Sequence, residues 1–157
     1  MNGKIFTLRN LYQSGTEKLE KAGIREAKLD AWYLLEYKTG ISRAVFLADP
    51  DREVEEEKAE SYQKDICTRA RRIPLQHITG EQEFMGLNFK VNENVLVPRQ
   101  DTEILVEEAL KRIRPDMQIL DMCTGSGCIL ESILKFGEKK QMHLKGTGCD
   151  ISEEALK

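Results

Sequence analysis

Cysteine, histidine, proline and aromatic residues are all scarce in these 157 residues, and each shortage removes a class of explanation. The four cysteines, Cys67, Cys123, Cys128 and Cys149, contain no C-x-x-C pair, so neither a zinc knuckle nor a disulfide framework is expected. Reduced thiols of this kind fit a cytoplasmic protein. The only histidines are His77 and His143, too few for a histidine-rich metal centre, and no metal is expected. His77 reads as a packing or hydrogen-bonding residue of a hinge region rather than as a base. No apolar run follows Met1-Asn2-Gly3-Lys4-Ile5, so no signal peptide is expected. Nothing approaches the roughly 20 apolar residues needed to span a bilayer. A basic excess is missing too: 24 Lys and Arg face 27 Asp and Glu, for a net charge of −3. A surface that releases counterions from nucleic-acid phosphates normally has the opposite sign. The local knot of Arg69, Arg71 and Arg72 reads as a solvated helix end, where cations are favoured.

What is present falls into two halves. Residues 7 to 73 keep helical spacing throughout. Leu8, Leu11, Tyr12, Leu19 and Ala22 predict a first helix stopped by Gly23, and Ala31, Trp32, Leu34 and Leu35 a second closed near Gly40. Ser42 is a candidate cap for a short third helix ended by Asp49-Pro50. Ala59, Tyr62, Ile66, Ala70 and Ile73 predict a fourth, terminated by Pro74. Trp32 and the tyrosines read as core, and Glu53 to Glu57 as a solvated first turn with favourable dipole placement. After Pro74 the period changes. Leu87, Phe89 and Val91 alternate as a strand, Asn92-Glu93-Asn94 offers a turn and Val95-Leu96-Val97 a second strand, so a β-hairpin is expected. Asp101 or Thr102 should start a helix with Leu105, Val106, Ala109, Leu110 and Ile113 on its apolar face. From Gln118 the order is strand, glycine loop, helix, strand, as in the opening β-α-β of a doubly wound sheet. The predicted organisation is a helical domain over 1–74, a hairpin connector over 75–97 and an α/β segment over 98–157.

The most informative stretch is Ile119-Leu120-Asp121-Met122-Cys123-Thr124-Gly125-Ser126-Gly127-Cys128-Ile129. Gly125 and Gly127 permit a sharp turn and a close approach of backbone to a ligand. The following helix aims its N-terminal amides at whatever is bound. Asp150 closes the second strand, where a carboxylate can accept both hydroxyl hydrogens of a ribose. It stands 23 residues after Gly127, near the roughly 20-residue spacing of nucleoside-binding α/β folds. The plain alternative is a tight strand-to-helix turn in which Asp121 merely bonds loop amides. A nicotinamide dinucleotide is disfavoured, because Leu130 occupies the position of the third glycine in G-x-G-x-x-G.

Three strings in order, Pro74-Leu75-Gln76-His77-Ile78-Thr79-Gly80-Glu81-Gln82-Glu83-Phe84-Met85-Gly86, then Val97-Pro98-Arg99-Gln100-Asp101-Thr102-Glu103, then D-M-C-T-G-S-G, resemble the release-factor glutamine methyltransferase family (PrmC/HemK). The resemblance spans the whole chain. It implies a Rossmann-like S-adenosylmethionine-dependent methyltransferase domain, incomplete here, after an N-terminal helical bundle that recognises the substrate. It implies S-adenosylmethionine as cofactor, with Cys123, Thr124, Gly125, Ser126 and Gly127 around its methionine part, Asp150 on its ribose, and Asp121 also among the cofactor-binding residues. Pro98, Arg99, Asp101 and Glu103 would lie over the cofactor and the substrate entrance, although Asp101 as an N-cap and Glu103 as a first-turn charge are equally compatible with simple capping. Two departures stand out: Cys123 replaces the first glycine of the family's G-x-G-x-G, and Gln100 stands where a proline is common.

The family's catalytic Asn-Pro-Pro-Tyr is expected a few dozen residues beyond Asp150 and does not occur among these 157 residues. No catalytic residue is therefore assigned, and the chain by itself is expected to be inactive and to bind the cofactor feebly. The expected function is N5-methylation of a glutamine side chain in peptide-chain release factors, which are the expected partners in translation termination. The alternatives are an amino-methyltransferase acting on DNA or RNA and a non-catalytic release-factor-binding module. Two lone parallel strands should leave bare edges and apolar faces, favouring mobility, dimerisation or strand swapping.

Overall fold

A computed structural model describes residues 5–156. Met1–Lys4, on which the expectation about a signal peptide rests, and Lys157 lie outside the described residues. No helix among the described residues is long and apolar enough to cross a membrane. The chain divides into two compact units between Thr79 and Gly80.

The first unit is helical. A short strand, β1 (Phe6–Thr7), leads into α1 (Leu8–Lys21). Thr7 caps that helix, its hydroxyl accepting the Asn10 amide hydrogen at 3.3 Å. Leu8, Leu11 and Leu19 are buried on one face. Gly23 then takes a left-handed turn (φ +71°), and the Ile24 amide donates back to the Leu19 carbonyl. Helix α2 (Ala27–Thr39) buries Ala27, Ala31, Trp32, Leu34 and Leu35 and ends on left-handed Gly40. Helix α3 (Arg43–Ala48) follows Ser42, which makes no side-chain capping bond. Strand β2 (Glu53–Val54) pairs antiparallel with β1, so Glu53 is part of a two-residue ladder rather than of a helical first turn.

Helix α4 (Glu56–Ala70) buries Ala59, Tyr62 and Ile66, and α5 (Leu75–Thr79) starts directly after Pro74. Helix α4 stops three residues short of Ile73, because Arg72 turns left-handed at φ +68°. The arginine knot is not wholly solvated either. Arg69 points inward to Asp30 at 2.7 Å and to the Ile73 carbonyl, linking α4 to α2. Such a half-buried pair serves geometry more than net stability.

The second unit begins with a hairpin, β3 (Glu81–Phe84) and β4 (Leu87–Lys90), in register from Glu81↔Lys90 to Phe84↔Leu87. Its two-residue turn, Met85-Gly86, has positive φ at both positions (+53° and +70°), the twist that suits a tight hairpin. This corrects the sequence expectation: the strand at 87–90 pairs with residues 81–84, and 95–97 form no strand. A 3-10 turn (Gln100–Thr102) precedes α6 (Glu103–Leu110). Strand β5 (Gln118–Met122), α7 (Cys128–Lys139) and β6 (Lys145–Cys149) complete a β-α-β, the strands parallel from Gln118↔Lys145 to Met122↔Cys149. Phe84, Val106, Cys128 and Ile133 form the buried centre, joined by Phe89, Leu110, Ile119 and Leu144. The opposite face of β5 is bare, with Leu120 61% and Met122 66% exposed.

Candidate functional site

Strands β5 and β6 run parallel, so their C-terminal ends lie side by side, and the polar residues gather there. Asp121, one residue before the end of β5, accepts the Thr124 hydroxyl hydrogen at 2.7 Å. The Thr124 amide donates to the Cys149 carbonyl of β6, which pins the loop to the neighbouring strand. Gly148 suits that contact, because a Cβ there would stand 3.0 Å from the Thr124 methyl carbon, a tight approach that glycine avoids. The Gly127 amide closes the turn on the Thr124 carbonyl at 2.9 Å, and Gly127 (φ +74°) hands the chain to α7.

Asp150 is the other anchor. Its Oδ2 accepts the Gly125 amide hydrogen at 2.9 Å and its Oδ1 the Ser152 amide hydrogen, also at 2.9 Å. These bonds, Ser152 foremost and Gly125 next, hold its carboxyl below the usual aspartate value. Asp121, Thr124, Gly125, Gly127 and Asp150 are thus linked through hydrogen bonds in one loop cluster. Cys123 takes φ +63°, a left-handed conformation for a residue with a Cβ at the position the resemblance assigns to glycine. Ser126 lies beside Cys128, whose thiol is pushed up by burial and partly restored by the Ser126 side chain.

A nucleoside-type cofactor is compatible with this arrangement. A Cβ at Gly125 would meet no atom within 4 Å, so the loop faces open space there. Each Asp150 oxygen engages one amide and keeps lone-pair capacity for a hydroxyl hydrogen. The plain turn-forming role of the two carboxylates is also real: both bond loop groups. Sequence reasoning missed Gly148 and the Ser152 amide, whose only signals are a small residue inside a strand and a serine two positions after an aspartate.

The segment at 98–103 is organised differently. Pro98 is buried. Arg99 and Asp101 are exposed and pair with each other at 2.7 Å. Asp101 is not an N-cap, since neither the 3-10 turn nor α6 has a side-chain capping bond. Glu103 Oε1 accepts the Met85 amide hydrogen at 2.7 Å, so its carboxylate secures the turn of the β3–β4 hairpin to the start of α6. Glu83 does the same for Gly86 from within the hairpin, at 3.2 Å. No hydrogen bond or ion pair among the described residues joins Arg99, Asp101 or Glu103 to the glycine loop.

Comparison with known proteins matches both units. Residues 10–80 fit the family model of the PrmC N-terminal domain, which ends one residue past the boundary between the units. The release factor glutamine methyltransferase of Caulobacter vibrioides is 37% identical over 152 residues, covering 96% of this chain and 51% of that protein. The same-named protein of Geobacter sulfurreducens is 37% identical over 153 residues, covering 98% and 52%. That of Clostridium botulinum is 42% identical over 124 residues, covering 78% and 44%. The chain belongs to this family. It spans about half the length of the curated relatives it matches. Within the release factor glutamine methyltransferase alignment lie both the helical unit and the loop cluster around Asp150.

Proposed function

We propose that residues 118–150 begin a Rossmann-like domain that binds S-adenosylmethionine, in an enzyme that methylates the side-chain amide nitrogen of a glutamine in a peptide-chain release factor. The observation that carries this reading is the pair of carboxylates, Asp121 and Asp150, bracketing a left-handed glycine loop at the ends of two parallel strands. When bound, S-adenosylmethionine supplies an electrophilic methyl group. Asp150 would receive the ribose hydroxyls, while Cys123, Thr124, Gly125, Ser126 and Gly127 would pass around the methionine part. Asp121 braces the loop through Thr124. The exposed Arg99–Asp101 pair is available to a substrate, whereas Glu103 is spent on the hairpin turn.

In this reading, residues 1–74 recognise the release factor, 75–97 connect, and 98–157 begin the catalytic domain. A glutamine amide is a poor nucleophile and must be held in line with the methyl group, a task for paired hydrogen-bond acceptors. These 157 residues contain no Asn-Pro-Pro-Tyr to perform it, so no step of amide activation is assigned to them. The test is transfer of labelled methyl from S-adenosylmethionine to a purified release factor. Residues 1–157 alone should yield no methylated glutamine, and a full-length protein containing them should yield it at one site. Methylation by residues 1–157 alone would overturn the placement of the amide clamp. A full-length protein that methylates only nucleic acid would overturn the substrate.

A further inference from the structure

Helices α1 and α4 pack tightly at Gly15, where a Cβ would overlap the Tyr62 hydroxyl and crowd Ile66. One turn further along α1 and one residue further along α4 stand Lys18 and Cys67. Lys18 Nζ lies 2.8 Å from Cys67 Sγ. That is the separation of an ordinary N–H···O bond, although sulfur is the larger atom. Neither side chain makes another hydrogen bond or ion pair among the described residues. Cys67 is exposed, and a cavity of about 210 Å³ lined by Gly15, Lys18, Tyr62 and Cys67 opens on the pair. Tyr62, fully buried with a hydroxyl that has no hydrogen-bond partner, forms part of the same wall. The pair is therefore preorganised by the helix core, accessible to a small oxidant and unengaged elsewhere.

We propose that Lys18 and Cys67 form a modification site at which peroxide installs a covalent nitrogen–oxygen–sulfur bridge between Nζ and Sγ. The 2.8 Å separation is close to the span of one bridging oxygen, so the bridge forms with little movement of either side chain. In the first step the Cys67 sulfur attacks one oxygen of hydrogen peroxide, the O–O bond breaks, and water leaves a sulfenic acid. In the second step the neutral Lys18 amine bonds to the sulfenic oxygen. The N–H and O–H protons and two electrons pass to a second peroxide, which becomes two waters. The sum is one amine, one thiol and two peroxides giving one bridge and three waters. The product ties α1 to α4 across 49 positions of sequence. It would form whether or not the chain transfers methyl groups.

Treatment of the 157-residue protein with hydrogen peroxide, then proteolysis and mass spectrometry, tests this. The expected product joins the Lys18 and Cys67 peptides with a mass about 14 Da above their sum, from gain of one oxygen and loss of two hydrogens. Excess dithiothreitol should remove it. Lys18→Arg, with an unchanged circular dichroism spectrum, should give no joined peptide and should let Cys67 run on to the sulfinic acid. Should that variant fail to fold, Lys18→Met, which keeps the length of the side chain and lacks the amine, gives the same two readouts, and Cys67→Ala should likewise yield no joined peptide. A joined peptide about 2 Da below the sum, meaning a direct sulfur–nitrogen bond, would overturn the bridge. So would Cys67 sulfinic acid in the wild-type protein with Lys18 free.

Discussion

Asp150 holds two backbone amides at once, and that engagement has a measurable signature. Its carboxyl is depressed by the Ser152 and Gly125 amides, so the folded protein favours the ionised form more than the unfolded chain does. The associated stabilisation is present above the unfolded aspartate value and is lost as pH falls through the lower, folded value. Following the Gly125 and Ser152 amide resonances through an acid titration should give a shared midpoint below the ordinary aspartate range. A midpoint within that range would mean the two hydrogen bonds are not maintained in solution. Glu103 makes an equivalent contact at the hairpin turn. Glu103→Ala should cost about 1 kcal/mol and speed hydrogen exchange at the Met85 amide, whereas Glu103→Gln, which keeps an acceptor oxygen, should slow it again. Equal exchange in both variants would show that the carboxylate does not hold the turn.

At the scale of elements, the contact of α1 with α4 depends on a residue that has no side chain. Gly15 is buried in the middle of α1, where alanine would otherwise be favoured by about 1 kcal/mol. Here Gly15→Ala should instead lower stability by about 1–3 kcal/mol, because the new methyl meets the Tyr62 ring. Tyr62→Phe removes a buried hydroxyl that has no partner and should stay within about 1 kcal/mol of wild type. Urea denaturation of both variants checks the pair. A neutral Gly15→Ala would mean the helices can part at no cost. The helices themselves were legible from periodicity: Leu8, Leu11 and Leu19, or Ala59, Tyr62 and Ile66, mark a single buried stripe each. The hairpin was not, because its turn is Met85-Gly86 rather than the Asn-rich 92–94 stretch, and methionine carries no left-handed preference. Nor was the β1–β2 pair, since two-residue strands are too short to show a period. Within the loop cluster, Asp121, Gly125, Gly127 and Asp150 were legible from spacing. The contact between Gly148 and Thr124 was not, since it depends on the packing of neighbouring strands.

For the whole molecule, the helical unit closes its own core while the second unit leaves part of its apolar surface uncovered. Leu120 and Met122 face solvent from the same side of β5, and Ile104 and Leu105 of α6 are 62% and 55% exposed. Parallel sheets are normally covered on both faces, and unpaired strand edges recruit other strands. The polypeptide of residues 1–157 should therefore self-associate, with Leu120→Glu plus Met122→Lys shifting it toward monomer. Light scattering across a concentration series reads this directly. A wild-type protein that stays monomeric at every concentration, with slow amide exchange in both β5 and β6, would show that the two strands need no partner.

The central claim is that the loop from Asp121 to Gly127 and the carboxylate of Asp150 hold S-adenosylmethionine, and calorimetric titration addresses it most directly. A full-length protein containing these residues is titrated with S-adenosylmethionine as wild type and as Asp150→Ala. Hydrogen bonds to a charged group are worth about 1.5–3 kcal/mol each. The variant should therefore bind at least about tenfold more weakly, with its helical unit still folded by circular dichroism. Equal affinity in the two proteins would contradict the claim and leave Asp150 as a turn-forming residue alone.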